Sequence, residues 1–528
     1  MTFSWELPYR SQRMPVLAEN IVATSQPLAA EAGLQALRKG GNAVDAALAT
    51  AIALTVVEPT SNGIGSDAFA IVWDGQQLLG LNASGRSPKA LTPERFAGQT
   101  QMPTVGWDPV TVPGAVSAWV ALSERLGKLP FEALFTDAVR YAREGYPVSP
   151  ITARGWSGAG QRYAAFPSFA ATFLPGGRAP RPGERFRSPE HAATLEQIAA
   201  THGEAFYRGM LAEKIAAHAR ATGGLMTEED LAAHAPQWVT PMAQPYRDAC
   251  LHEIPPNGQG LAALITLGIL EHFELSRYPV DSVDSVHLQV EAMKVGFAEA
   301  HRHIADPVWM EVAPEALLEP GFLADRAHEI TLDQAQFPSS ALETDHGTVY
   351  LTAADATGMM VSYIQSNYMG FGSGIVIPGT GISLQNRGAG FRLEEGHPNR
   401  VAGGKRPYHT IIPAFATRPG GEPLMSFGVM GGHMQPQGHV QMMVRIFDYG
   451  QNPQAASDGP RWYVDEAMHL KLEPGFAPDV AEALRARGHS VQENVGPGLF
   501  GGAQLIYRMQ DGYCAGTDWR KDGQAVGF

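Results

Sequence analysis

The sequence predicts an α+β chain, helical through its first two thirds and strand-rich after that. Three observations carry this expectation. Helical segments follow one another as far as Ala305, the texture changes between Pro338 and Thr348, and short alternating runs broken by glycine follow.

The helical part opens with Ala29 to Arg38, an amphipathic run stopped by Gly40-Gly41. Asn42 caps a second, more apolar helix from Val44 to Thr55, which ends before Glu58-Pro59. Gly114 to Leu126, Phe131 to Arg143, Pro189 to Thr201, Leu211 to Thr222, Gly260 to Phe273 and Val283 to Ala305 read the same way. Tyr163 to Arg187, rich in proline, glycine and aromatics, reads as an ordered excursion across the surface. Val349 to Ala353, Met359 to Ser366, Gly374 to Ile377 and Gly381 to Gln385 read as short strands. No internal repeat is visible.

A chain of 528 residues suffices for one large or two ordinary domains. Its net charge of -14 argues against a nucleic-acid partner, which needs a basic surface. Glu6, Arg10, Arg13 and Glu19 interrupt the start of the chain, unlike a secretory signal. The longest apolar run, Ala46 to Val57, is too short to span a bilayer. With Cys250 and Cys514 alone there is no disulfide framework and no cysteine metal cluster. The expectation is a cytoplasmic protein with no membrane partner; a homo-oligomer is compatible with the sequence.

Chemistry concentrates at Gly347-Thr348-Val349. A threonine hydroxyl needs a base, and a free α-amine of the same residue can serve, because it titrates near neutrality. That requires Thr348 to become a chain terminus through cleavage of the Gly347–Thr348 bond. The turn signal Asp355-Ala356-Thr357-Gly358 makes a hairpin of the flanking runs. Pairing Ala354 with Met359 would set Thr348 opposite Gln365, one place from Ser366, within reach of a hydrogen bond. Downstream, Gly431-Gly432 stands before a helix from Pro436 to Ile446, where backbone N–H groups can stabilise an oxyanion. Each signal alone is common in ordinary hairpins and turns.

Taken together, the motifs resemble the γ-glutamyltranspeptidase (glutathione hydrolase) family along essentially the whole chain. The resemblance rests on Gly40-Gly41-Asn42-Ala43-Val44-Asp45-Ala46-Ala47, Glu58-Pro59-Thr60-Ser61-Asn62-Gly63-Ile64-Gly65, Val112-Pro113-Gly114 and Ala142-Arg143-Glu144-Gly145-Tyr146. It continues through Thr348 to Phe391 with Gly370-Phe371-Gly372-Ser373-Gly374, then Lys405-Arg406-Pro407, Gly431-Gly432 and Pro460-Arg461. It implies an N-terminal-nucleophile hydrolase with an αββα four-layer sandwich. The precursor would divide into a large segment, 1–347, and a small one, 348–528, that stay associated. It places Thr348 on the nucleophile, Ser366 on the threonine that supports it, and Gly431 and Gly432 on the oxyanion glycines, and it implies no cofactor or metal. The implied reaction is hydrolysis of γ-glutamyl amides such as glutathione, or of related glutaryl amides, through a threonine acyl-enzyme.

The positions that grip a γ-glutamyl group depart from the family. Ser84 stands where an arginine would bind the substrate carboxylate, with Arg86 close by, and His409-Thr410 replace a serine pair. Tyr368, Arg387 and Gly390 replace the asparagine, glutamine and aspartate that meet the amine. An arginine repels an ammonium and suits a carboxylate. Two enzymatic readings therefore stay open: a γ-glutamyl hydrolase, or an acylase of the glutaryl-cephalosporin kind without glutathione activity. A family relative that has lost activity and acts as a binding protein is the alternative outside enzymology. The shortness of Phe391 to Lys405 predicts an open pocket and hydrolysis over transpeptidation. His301, His303 and Asp306 read as a helix surface rather than a metal site, and Gly370-x-Gly372-x-Gly374 precedes a strand, not the helix of a nucleotide loop. Tyr408, Phe415 and Trp462 read as core, and no G-x-S-x-G elbow is present.

Overall fold

The computed structural model describes Trp5, residues 12–336 and residues 347–528. The texture change after Pro338, and Glu6 and Arg10 near the start, lie outside these residues. Within them, two seven-stranded antiparallel sheets stack face to face. The first runs Val16–Ala18, Tyr513–Thr517, Gly502–Arg508, Pro423–Met430, Ala414–Thr417, Ala249–Glu253 and Met242–Tyr246. The second runs Gln524–Gly527, Ile21–Thr24, Gly347–Ala354, Met360–Tyr368, Asp67–Trp73, Leu78–Asn82 and Gln237–Val239.

Helices Pro27–Arg38 and Ala43–Val57 cover the second sheet; Gly260–Leu270 and Met434–Phe447 cover the first, with Val283–His303 packed against Gly260–Leu270. Three apolar cores separate the four layers, and the middle one, with Ile21, Phe69, Tyr350, Ile364, Phe415 and Ile506, lies between the sheets. This is the αββα sandwich that the family resemblance implied. The Ala43–Val57 helix is buried along its whole length, consistent with its uninterrupted apolar composition. Asn42 and Asp45 start it with a reciprocal capping box, Asp45 N–H donating to Asn42 Oδ1 at 3.0 Å and Asn42 N–H to Asp45 Oδ2 at 2.9 Å.

Three expectations need correction. The front of the chain is mainly helical, but it also supplies sheet strands that the sequence did not reveal, among them Asp67–Trp73, Leu78–Asn82, Met242–Tyr246 and Ala249–Glu253. Asp67–Trp73 is buried on both faces, so its apolar run lacks the alternation that marks a half-exposed strand. The Tyr163 to Arg187 segment does run largely exposed over the surface, anchored by Tyr163, Phe169 and Phe173, which are buried against Phe371. Gly374 to Ile377 and Gly381 to Gln385 form single bridges rather than strands, Val376 with Ser383 and Leu384 with Gly65. Left-handed glycines at 372, 374, 379 and 381 bend that stretch too often for a ladder. Finally, Phe131 to Arg143 divides into a 3-10 turn, Phe131–Phe135, and a helix, Thr136–Glu144.

The sheets approach closely at Gly428, where an added Cβ would stand 2.4 Å from the ring of Tyr350 in the facing sheet. Gly428→Ala is therefore expected to cost about 1–3 kcal/mol through overpacking, read as a lower denaturation midpoint.

Candidate active site

The hairpin turn forms as expected, with Gly358 left-handed at φ 95° and its N–H donating to Asp355 carbonyl at 2.9 Å. The register differs by one: Ala354 pairs with Met360 and Val349 with Gln365. A bulge between Gly347 and Val349 then turns Thr348 toward Ser366. Their hydroxyl oxygens lie 3.0 Å apart. Thr348 Oγ1 also donates to the Gly347 carbonyl at 2.8 Å, and Ser366 Oγ to the same carbonyl at 2.9 Å. Gly347 has no room for a side chain, since an added Cβ would meet Gly370 N at 2.8 Å and Thr60 carbonyl at 3.1 Å. Two hydroxyls thus converge on the one peptide carbonyl whose bond precedes Thr348.

Behind Ser366 lies the side chain of Arg387, fully buried. Its Nη1 donates to Thr410 Oγ1 at 2.6 Å and its Nη2 to Ser366 Oγ at 3.3 Å. The guanidinium carbon sits 4.2 Å from the centre of the Tyr368 ring. Tyr368 is held at φ 77°, rare for a bulky side chain, and its N–H donates to Ser366 Oγ at 2.7 Å. Burial pushes the Arg387 guanidinium down to about 10, with Tyr368 and then Asp67 opposing, so it stays charged at neutral pH. Among the described residues Arg387 has no carboxylate in contact, and its Nε is buried without an acceptor.

Gly431 and Gly432 close the end of the Pro423–Met430 strand at φ 125° and 58°. Their carbonyls face the Met434–Phe447 helix start, accepting from Met434 and Gln435 N–H at 3.0 and 3.2 Å. Gln259 Nε2 adds a bond to the Gly432 carbonyl at 2.8 Å. Among the described residues neither glycine N–H has a protein acceptor, the disposition that an oxyanion site needs.

The other predicted binding residues separate. Ser84 is buried, its hydroxyl donating to Asn82 Oδ1 at 2.7 Å. Arg86 pairs with Asp306 at 2.5 Å and lines a different cavity of about 190 Å³ with His234 and Arg406. His409 accepts Ile411 N–H on Nδ1, so its Nε2 donates to Asp67 Oδ2 at 3.0 Å. Burial, then Arg387 and Arg406, hold the imidazole well below its usual range, so it is neutral and cannot serve as a cation. Of the three cationic candidates only Arg387 remains beside Ser366. At Gly390 an added Cβ would stand 2.6 Å from Tyr408 carbonyl, so backbone occupies the space an aspartate would need.

Phe391, Arg392 and Asn399 line, with Tyr368, Gly390, His301, Tyr408, His433 and Glu466, a cavity of only about 60 Å³. Four neighbours carried no readable sequence signal: Asp67, Gln259, His433 and Glu466. Asp67 accepts Gly85 and Gly114 N–H at 3.3 and 3.1 Å, and burial raises it to about 7 against the pull of Arg387. A charged residue opening an otherwise apolar strand is the one signal that could have marked it. His433 meets Glu466 at 3.0 Å and Gln259 at 3.2 Å. Asp306 is buried against Arg86, not on a helix surface with His303. His287, Glu291 and His489 converge at metal-ligand distance, but Lys294 Nζ stands 2.7 Å from Glu291 and 3.3 Å from His489, filling the cation's place.

A family model described as Gamma-glutamyltranspeptidase matches residues 29–528. The chain belongs to this family. It shares with it the N-terminal-nucleophile hydrolase fold and amidohydrolase class. A solved cephalosporin acylase from Bacillus halodurans superposes with a TM-score of 0.96 at 49% identity, covering 100% of this chain and 99% of that one. The "Oxamate amidohydrolase proenzyme" of Klebsiella pneumoniae is 37% identical over 95% of this chain and 97% of its own length. The "Glutathione hydrolase-like YwrD proenzyme" of Bacillus subtilis is 36% identical over 97% and 98%.

Ser366→Ala would leave Tyr368 N–H and Arg387 Nη2 buried without their shared acceptor. A loss of about 1–3 kcal/mol in unfolding free energy is expected, largely restored in Ser366→Thr.

Proposed function

We propose that the chain is a precursor that cleaves its own Gly347–Thr348 bond and then hydrolyses amides whose acyl half ends in a carboxylate. In the first step Thr348 Oγ1 attacks the Gly347 carbonyl carbon, the hydroxyl proton passes to the departing amide nitrogen, and an ester replaces the peptide. The departing nitrogen becomes the free Thr348 α-amine, and water then hydrolyses the ester to release the Gly347 carboxylate and the Thr348 hydroxyl. The double hydrogen bond on the Gly347 carbonyl supports this order of events, because it polarises the bond under attack.

In the second reaction the α-amine takes the Thr348 hydroxyl proton and Oγ1 attacks the substrate amide. Charge developing on its oxygen is met by the N–H groups of Gly431 and Gly432. The amine leaves with the proton, and water releases the acid. The single observation that carries the substrate class is Arg387: a buried, charged guanidinium beside Ser366, without a carboxylate partner and with an unmet donor. Such a group favours a carboxylate and repels the ammonium of a γ-glutamyl group. Relatives described as an oxamate amidohydrolase and a cephalosporin acylase are compatible with this reading.

Denaturing electrophoresis with mass analysis tests the first step. Two fragments meeting at Gly347/Thr348 are expected, and Thr348→Ala should stay whole; a wild-type chain that remains intact on long incubation would refute the proposal.

The second step is tested by comparing amides of dicarboxylic monoacids with γ-glutamyl-p-nitroanilide. The acids lacking an α-amine should show the higher kcat/KM, and Arg387→Gln should lower it by about 10- to 100-fold, the loss of one charge-assisted contact. Faster turnover of the glutamyl compound would overturn the carboxylate reading.

A further inference from the structure

Resting on the reading that Gly431 and Gly432 meet the oxyanion, we infer that Gln259 is a positioning residue for the hydrolysis. It fixes that glycine pair against the nucleophile and Arg387, and so governs the chemical step rather than the affinity for substrate. Gln259 belongs to the large segment, 1–347, whereas Thr348, Ser366, Arg387, Thr410 and both glycines lie beyond the proposed cut.

Gln259 directly precedes the Gly260–Leu270 helix and is fully buried. Its N–H donates to the His409 carbonyl at 2.9 Å, which anchors its backbone beside Thr410. Its carboxamide is fully used. Nε2 donates to the Thr410 carbonyl at 2.6 Å and to the Gly432 carbonyl at 2.8 Å. Oε1 accepts from the Tyr408 hydroxyl at 3.0 Å and from His433 Nδ1 at 3.2 Å. Carbonyl oxygens can only accept, so the partners themselves settle which end of the amide is nitrogen. One planar group thus ties two separate stretches of backbone, 408–410 and 432–433, at four points. From Thr410 the contacts run on to the nucleophile. Thr410 Oγ1 accepts from Arg387 Nη1 at 2.6 Å, Arg387 Nη2 reaches Ser366 Oγ at 3.3 Å, and Ser366 Oγ stands 3.0 Å from Thr348 Oγ1. Gln259 joins this series to the oxyanion glycines. The helix start ties those glycines only to Met434 and Gln435, three residues on; Gln259 ties them to the other side of the site. A contact made only in the transition state and displaced by about 1 Å can cost about 100-fold in rate, while binding of the ground state is spared.

The test compares processed wild-type enzyme with Gln259→Met, which keeps the length and loses both donors, and with Gln259→Glu, which keeps the shape and loses at least one. Gln259→Glu carries the comparison if Gln259→Met stays uncut. With succinyl-p-nitroanilide, kcat per processed chain is expected to fall by about 10- to 100-fold in Gln259→Met while KM stays within about threefold. Two inhibitors separate positioning from a merely structural role. Succinate probes the ground state. Carboxyethylboronic acid, its boron analogue, bonds through boron to Thr348 Oγ1 as the hydroxyl proton passes to the α-amine, and so presents a tetrahedral oxyanion to the glycines. In the variants the boronic acid should weaken by the same factor as kcat, and succinate should keep its affinity. An unchanged kcat, or equal losses for the two inhibitors, would overturn the inference. Wild-type enzyme that holds the boronic acid no more tightly than succinate would instead overturn the oxyanion role of Gly431 and Gly432, on which the inference rests.

Discussion

Everything distinctive about this site depends on one buried cation. Placing a guanidinium inside a protein is costly unless its donors and its charge are met. Arg387 is met by two hydroxyls, an aromatic face and the field of Asp67, but by no carboxylate in contact. The surroundings adapt to it. Tyr368 adopts a left-handed backbone that lays its ring against the guanidinium while its N–H reaches Ser366. His409 stays neutral, and Asp67 carries a raised affinity for its proton because burial outweighs the pull of Arg387. The nucleophile's neighbour, Ser366, is thereby tied to the same cation that would select the substrate. In the proposed mechanism, processing, catalysis and specificity would share one oxygen.

Much of this was legible in the chain. The capped helix after Asn42, the hairpin turn at Asp355 and the glycine pair before a helix are local signals, and local chemistry writes them strongly. The strands within the mainly helical front were missed for a reason built into the fold. Central strands of a four-layer sandwich have a sheet on one side and helices on the other, so Asp67–Trp73 alternates nothing. The one-residue register error at Thr348 has a local cause too, since a bulge leaves no trace in hydrophobic alternation. Binding residues were the least legible. Arg86 and Arg387 carry the same charge in the sequence, yet among the described residues Asp306 contacts the first and no carboxylate contacts the second. Asp306 lies 220 positions from Arg86, and no short-range pattern encodes such a pairing.

Gly390 shows how a missing group can mislead. In the sequence it reads as a lost negative charge, restorable by substitution. In the fold the Tyr408 carbonyl stands where its Cβ would be. The Gly390 carbonyl is itself committed, accepting from Asn399 Nδ2 at 2.7 Å. The change of specificity is therefore in the backbone path around the cavity as well as in the charge at Arg387, and exchanging side chains alone would not recreate an ammonium site.

The fold also bears on why cleavage beside Thr348 need not dismantle the molecule. Residues on either side of that bond alternate within both sheets. In the first sheet Val16–Ala18 and the pair Ala249–Glu253 and Met242–Tyr246 flank four strands from beyond Thr348. In the second, Ile21–Thr24 is clasped between Gln524–Gly527 and Gly347–Ala354, and Asp67–Trp73 pairs with Met360–Tyr368. The seams are ladders of backbone hydrogen bonds buried between apolar layers, where water offers no substitute partner. Separating the parts would expose those ladders and the inter-sheet core together. Cutting one peptide removes only a chain connection, so the loss is chiefly of tether entropy, which grows slowly with the length of the tether. The bond most exposed to attack by its own neighbour is thus one that the packing does not need.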